Sequence, residues 1–330
     1  MKSIWNELLK FETKDLVQEY IKNKYNKDIS SERISQITSN FIQGREYFES
    51  AGKADFTVRP LIQYYAIRAL SRGLILCLDL SKKEENLEPS HGLTITNWSS
   101  CIKKANYQQL EIKITNGTFT ELLSTTKNKN YLRANSTGIN FSSFLSIPEK
   151  DYVFSLVDVF QYFPDLKKEF FSWTGKNLVF YKLNELKTTD DKINLKVEGK
   201  IDTENVELFL PKSLCGDKGI IQNRGETTIE YKNDGFYPNI TQMWNSAFDV
   251  IGDACIVPTL PDEKGLNILS AMFMISFVLG MWARYYPTSW IGLRRGSKGD
   301  RIYPFIYRIL DFIYEKYPIQ VLDFLNEPDI

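Results

Sequence analysis

The stretch LNILSAMFMISFVLGMWA, residues 266–283, decides how the rest of the chain is organised, because its 18 residues carry no charge. A run of this length is at the lower limit for a membrane-spanning helix, and it equally suits a helix buried in a large domain. Asn267, Ser270, Ser276 and Gly280 interrupt it, and the sequence has no second run of this kind. We therefore interpret it as a buried helix, with membrane attachment as the alternative.

Helical patterns lie towards both ends of the chain. Ser30 and Ser31 suit the cap of a helix whose apolar residues recur every three to four positions. Pro60 suits the first turn of a second helix that ends near residue 80. Close to the C-terminus, Ile302, Ile306, Ile309 and Ile313 indicate an amphipathic helix, which we expect to break at Pro318.

Strand patterns occupy the middle of the chain. Apolar and polar residues alternate over residues 110–115, and Asn116-Gly117 then predicts a two-residue hairpin turn into a second strand. A capping-box pattern at residues 146–149 predicts a helix that runs to about Tyr162. Further strands are expected at residues 178–186, 193–201, 206–210 and 227–232.

This order of elements predicts an α+β fold, in which helical N- and C-terminal parts surround an antiparallel β-rich middle. Segregated helices and strands argue against a doubly wound parallel sheet. We expect a helical part at residues 1–105 and a β-rich part at 106–235 with one helix near 147–162. A second helical part at 236–330 is expected to pack on the N-terminal helices.

Composition restricts the classes of function. The 41 basic and 41 acidic residues balance, whereas a protein that binds nucleic acid over its whole surface is usually basic, so such a role needs a local patch. The four cysteines and one histidine show no metal-ligand spacing, and we predict neither a metal nor a cofactor. The N-terminus lacks a signal-peptide pattern. We therefore expect reduced thiols and a cytoplasmic protein.

Common catalytic motifs are missing from the sequence. Neither GxxxxGK[ST], GxGxxG, GxSxG nor HExxH occurs, and a Ser or Cys triad would depend on His91 as its base. A lone histidine in a turn is more often structural or exposed than catalytic, so His91 is a weak catalytic candidate.

Two groups of arginines are candidates for binding an anion. Arg68 and Arg72 fall on the apolar face of the helix predicted at 58–80, and Arg59 lies on the rest of the same helix. A charge on such a face is costly unless it is paired, so the alternatives are a partly buried ion pair, an anion site, or side chains that extend to water. The second group lies at 284–301 and contains Arg284, Arg294, Arg295, Lys298 and Arg301. It is interpreted as a phosphate-binding segment or a solvated loop.

Several of these residues lie in short motifs that resemble the YaaC-like proteins of bacteria. The motifs are WNEL (5–8), FIQG (41–44), YF (47–48), RPLIQYY (59–65), AL (69–70), HGL (91–93) and RYYP (284–287), followed by Trp290. The resemblance implies a cytosolic bacterial protein of about this size and implies no activity. The helical part also resembles HEPN-type domains, some of which are ribonucleases with an Arg four to six residues before a His. Arg72 and His91 are 19 positions apart, which counts against such a nuclease.

Two hypotheses of function follow. The first is a non-catalytic interaction or regulatory subunit of a bacterial multiprotein complex, with antiviral defence as its setting. The alternative is a nucleotide- or nucleic-acid-binding protein, including a HEPN-like ribonuclease. A protein partner is expected under the first hypothesis and nucleic acid under the second. Self-association is left open, and no membrane partner is expected.

Overall fold

A computed structural model describes residues 2–132, 141–144, 146–201, 206–210, 219–233, 235, 237–244, 252–296 and 299–326. The helices within these ranges are α1 (Lys2–Leu8), α2 (Lys14–Tyr25), α3 (Ser31–Lys53), α4 (Arg59–Leu78), α5 (Trp98–Lys104), α6 (Thr118–Thr125), α7 (Leu156–Phe160), α8 (Lys167–Thr174), α9 (Ile268–Tyr285), α10 (Pro287–Arg294) and α11 (Tyr303–Leu325). The strands are β1 (His91–Ile95), β2 (Glu111–Gly117), β3 (Lys129–Leu132), β4 (Phe141–Phe144), β5 (Val153–Ser155), β6 (Tyr181–Thr188), β7 (Lys192–Glu198), β8 (Gly219–Asn223), β9 (Glu226–Lys232), β10 (Ile240–Met243) and β11 (Asp253–Ile256). All described strand pairs are antiparallel, and the predicted α+β class is confirmed.

The chain forms two compact units. The first comprises Met1–Thr126, Glu149–Val157 and Leu269–Ile330, and the second comprises Lys127–Pro148 and Asp158–Ile268. In the first unit the strand order is β1-β2-β5. In the second unit the order of the larger sheet is β10-β11-β6-β7-β9-β8, and β3 pairs with β4.

Helix boundaries in the first unit follow the capping signals in the sequence. The Ser30 side chain accepts a hydrogen bond from the backbone N–H of Arg33, as a cap does at the start of a helix. Pro60 lies in the first turn of α4, where its missing N–H costs no intrahelical hydrogen bond. Both predicted helix starts are confirmed.

The larger sheet of the second unit is organised by alternation of side chains. Ile193, Leu195 and Val197 of β7 are buried between more exposed neighbours, and Leu195 lies opposite the buried Ile229 of β9. Period-two alternation places these residues on one face, where they form part of a single apolar cluster. The predicted strands at 178–186, 193–201 and 227–232 correspond to β6, β7 and β9.

The predicted hairpin at Asn116-Gly117 is wrong. β2 continues to Gly117, and α6 begins at the next residue, where Thr120 Oγ1 accepts a hydrogen bond from the Gly117 N–H. β2 pairs instead with β1 and β5, both antiparallel. Phe119, Leu122 and Leu123 are buried at the spacing of a helix, and this burial favours α6 over a second strand.

Two further predictions in the middle of the chain are corrected. The helix expected from residue 147 is replaced by β5, whose Phe154 lies opposite Ile112, and helix α7 begins only at Leu156. Residues 206–210 form a turn, not a strand, because the N–H groups of Phe209 and Leu210 both donate to the carbonyl oxygen of Val206. That turn buries Val206, Phe209 and Leu210 and leaves Leu208 exposed.

The predicted break at Pro318 is also wrong, since α11 continues through it to Leu325. Proline removes one intrahelical hydrogen bond. Tyr317 and Val321, on either side of Pro318, are fully buried. The packing of both flanks offsets the lost bond and keeps one helix.

Two helices, α4 and α9, are long and apolar enough to cross a membrane by length and composition. In this structure 67% of the α4 window and 89% of the α9 window are buried within the protein. Such burial is also what the core helix of a water-soluble domain shows, so these helices are weak evidence for a membrane span.

Candidate functional site

Helix α4 positions the first candidate arginines. Tyr64, Arg68 and Arg72 recur every four residues and therefore lie on one face of the helix. Tyr64 is fully buried, whereas the two arginines are half-buried. His91, the first residue of β1, lies against this face.

The phenol of Tyr64 and the imidazole of His91 form a short hydrogen bond, with Tyr64 Oη 2.6 Å from His91 Nδ1. Burial raises the pKa of Tyr64 well above its usual value, so the hydroxyl keeps its proton. The pKa of His91 is lowered, first by burial and then by the positive charges of Arg68 and Arg284. In the tautomer in which Tyr64 donates this hydrogen bond to Nδ1, neutral His91 carries its own proton on Nε2 and can donate from there.

Arg68 and Arg284 both act on His91 electrostatically, although they are far apart in the sequence. Arg68 Nη2 donates to the carbonyl oxygen of Pro89 at 2.8 Å, and its buried Nε has no partner among the described residues. Arg284, which is exposed, donates from Nη1 to Tyr65 Oη at 2.9 Å. Both hydrogen bonds go to neutral oxygens. We call Tyr64, Tyr65, Arg68, His91 and Arg284 the Arg–His cluster.

Arg72 extends this positive region along α4. Its Nη1 donates a long hydrogen bond of 3.4 Å to the carbonyl oxygen of Glu88. Burial and the neighbouring Arg68 charge lower the pKa of Arg72. Within the described part of the chain, neither Arg68 nor Arg72 forms the ion pair that the sequence offers as one alternative.

Arg59 has a different role from the other arginines of α4. Its Nη1 lies 2.6 Å from Asp311 Oδ1, and its guanidinium packs over the ring of Tyr314. Both partners belong to α11, so Arg59 links α4 to α11. Arg59 therefore forms an ion pair within the protein, and because its guanidinium is occupied by Asp311 and Tyr314 it is not available to a ligand.

The second predicted group of basic residues is split. Only Arg284 contacts the Arg–His cluster. Arg294, Arg295 and Arg301 are exposed, and no described hydrogen bond or ion pair links them to the cluster. Lys298 lies outside the described residues. The solvated-loop alternative fits the exposed arginines.

A polar cleft of about 550 Å³ adjoins the cluster. It lies between α3, α4 and the segment at residues 84–89. Its lining residues are Asn40, Gln43, Tyr47, Tyr65, Arg68, Ala69, Arg72, Glu84, Glu85, Leu87 and Pro89. Tyr47, Glu84 and Glu85 were not predicted as site residues from the sequence. The one sequence signal that could have identified Tyr47 is its place in the YF motif at residues 47–48.

Other reactive groups give no second candidate. Cys77, Cys101 and Cys255 are buried free thiols, and burial raises the pKa of each, to about 12 for Cys255. Cys215 lies outside the described residues. Among the described residues, no three or more His, Cys, Asp or Glu side chains form a group that could hold a metal ion.

The fold and the cluster together define an α+β protein in which arginines from two core helices converge on one neutral histidine. The family model of the YaaC-like Protein matches residues 9–325, and the chain therefore belongs to the YaaC-like family. No curated protein and no solved structure matches the chain significantly.

Proposed function

We propose that this protein is a cytoplasmic binding protein that recognises a phosphate-bearing anion through Arg68, His91 and Arg284. The observation that carries the proposal is a pair of arginines whose charges both act on His91 and whose described hydrogen bonds go only to neutral oxygens. Both positive charges act on the same histidine, and an anion bound beside its ring would be attracted to both of them. Arginine also suits phosphate, since its planar N–H groups bind two oxygens at once.

His91 supports the same assignment as a hydrogen-bond donor. With Tyr64 donating to Nδ1, the Nε2–H group of the ring is left to donate to a phosphate oxygen. The lowered pKa makes His91 a neutral donor at pH 7. A bound dianion opposes the two arginine charges and is expected to raise that pKa.

The test uses pyrophosphate as the probe and the imidazole NMR signal of His91 as the reporter, because His91 is the only histidine. Pyrophosphate is expected to raise the pKa of His91 and to bind more weakly as salt increases. Arg68→Gln or Arg284→Gln is expected to weaken binding about 10- to 150-fold, since a charge-assisted hydrogen bond contributes about 1.5–3 kcal/mol.

Arg294→Gln and Arg295→Gln are the matched controls, because they remove the same charge from exposed positions. Both should bind pyrophosphate as the unmodified protein does. Equal weakening in all four variants would show a general charge effect, and an unshifted His91 signal at low salt would refute the site.

A second candidate function is a non-catalytic subunit of a bacterial multiprotein complex, with antiviral defence as the proposed setting. The observation that favours it is the exposure of large apolar side chains on the first unit: Tyr285 is 58% exposed, Val58 48% and Tyr307 47%. Aromatic residues are enriched in protein interfaces.

For this second candidate, purification of the tagged chain from its native cells is expected to recover a partner in stoichiometric amount. The double variant Tyr285→Ser/Tyr307→Ser should lose the partner, while Leu9→Ser, an exposed apolar control, should keep it. Recovery of the chain alone would argue against this candidate.

A further inference from the structure

The cleft beside the Arg–His cluster has properties that a bare phosphate site does not need. Its volume of about 550 Å³ falls within the range of about 300–1,000 Å³ that is typical of small-molecule sites. Arg68 and Arg72 line the cleft together with two carboxylates and two tyrosines. A ligand that fills it must therefore present more than a phosphate group.

The aromatic part of the lining comes from both helices. The ring centroids of Tyr47 on α3 and Tyr65 on α4 are 6.3 Å apart, with an angle of 38° between the planes. Tyr47 is 36% exposed, and Arg284 fixes the hydroxyl of Tyr65. An exposed tyrosine face in a polar cleft suits stacking by a flat, conjugated group such as a nucleobase.

The carboxylate part of the lining is held in place by α3. Gln36 Nε2 donates to Glu85 Oε1 at 2.8 Å, and Gln36 Oε1 accepts from the backbone N–H of Glu84 at 3.2 Å. Asn40 Nδ2 also donates to Glu84 Oε1, at 3.5 Å. The Oε2 atoms of both glutamates are exposed acceptors to which a ligand in the cleft can donate. Sugar hydroxyls and exocyclic amines are such donors, whereas a phosphate is not.

The exposed amide of Gln43 lies on the same face of α3, four residues before Tyr47. It makes no described hydrogen bond. An amide beside an aromatic face presents both a donor and an acceptor, which is what the edge of a nucleobase requires.

We propose that the ligand of this cleft is a single nucleoside phosphate, with the base on Tyr47, the sugar at Glu84 and Glu85, and the phosphate at Arg68, which belongs to both the cleft and the anion site. This inference rests on the proposed anion site and names its ligand class. A polynucleotide fits less well, because Glu84 and Glu85 repel further phosphates and the chain is neutral overall. The exposed arginines beyond α9 do not extend the cleft.

The test compares AMP, GMP, CMP and UMP with ribose 5-phosphate, pyrophosphate and a short single-stranded RNA, by titration calorimetry of the full chain. At least one nucleoside monophosphate is expected to bind about 5- to 150-fold more tightly than ribose 5-phosphate, which is the range for base–tyrosine stacking. Tyr47→Ala should remove this preference and leave pyrophosphate binding unchanged. Tyr307→Ala, another exposed tyrosine, should change neither.

The other outcomes separate the two proposals. If pyrophosphate binds through Arg68 but nucleotides gain nothing over ribose 5-phosphate, the anion site stands and the nucleoside assignment is wrong. Tighter binding of the RNA that also depends on Tyr47 would replace a single nucleoside phosphate with a polynucleotide. If no probe binds at low salt, both proposals are wrong.

Discussion

Replacing Gly92 with alanine is expected to lower the free energy of unfolding of the first unit by about 2–5 kcal/mol and to displace His91. Gly92 has a positive φ of 81° in the irregularity where β1 passes β2. A Cβ at this position would lie 2.8 Å from the backbone nitrogen of Phe119, which cannot move without shifting α6. The conformational strain and the backbone clash therefore both contribute to the loss of stability.

Gly296→Ala is the matched control for Gly92→Ala, because Gly296 belongs to the same unit and has a φ of 74°. A Cβ there meets only the Asp300 side chain, at 3.8 Å. The control should show the conformational cost alone, about 1–2 kcal/mol. Urea unfolding followed by the His91 NMR signal measures both variants, and equal losses would show that the predicted clash does not occur.

Truncation of Trp290 to alanine is expected to destabilise the first unit by about 3–5 kcal/mol, the usual cost of removing a buried Trp. Trp290 is fully buried. Its ring stacks on Phe56 with centroids 4.5 Å apart and planes 9° apart, and its Nε1 donates to the Phe56 carbonyl oxygen at 3.2 Å. The truncation leaves a cavity and also an unpaired carbonyl group.

Two control variants separate the cost of the cavity from the cost of the lost hydrogen bond. Trp290→Phe keeps an aromatic ring and loses the hydrogen bond, so it should cost less than Trp290→Ala, about 1–3 kcal/mol. Tyr285→Ala removes an exposed aromatic side chain nearby and should cost less than about 1 kcal/mol. Urea unfolding provides the comparison. A Trp290→Ala protein as stable as the Tyr285→Ala protein would contradict the packing described above.

Local patterns predicted part of the candidate site. The placement of Arg68 and Arg72 on one helical face follows from residue spacing, and α4 carries both on such a face. The ion pair of Arg59 could not be predicted from residue spacing, because its partner Asp311 is 252 positions further along the chain. An ion pair depends on which helix faces which, and periodicity along one helix does not contain that information.

The elements that sequence patterns mispredicted share one cause. The segment after Gly117 carries both a turn signal and apolar residues at helical spacing, so local preference does not decide between strand and helix. Burial of Phe119 and Leu122 decides for α6. Pro318 is a comparable case, because the packing of α11 outweighs one missing backbone hydrogen bond.

The sequence by itself determined the α+β class, the buried helix that follows residue 266, and membership of the YaaC-like family. These depend on composition and on periodicity within one element. Only the tertiary structure decided that the charges of Arg68 and Arg284 act on His91, and that Tyr47 and Glu85 line one cleft with Arg68. The proximity of these residues depends on how α3, α4, α9 and β1 pack, because contacts between segments distant in sequence are set by the complementary shapes of their packed surfaces.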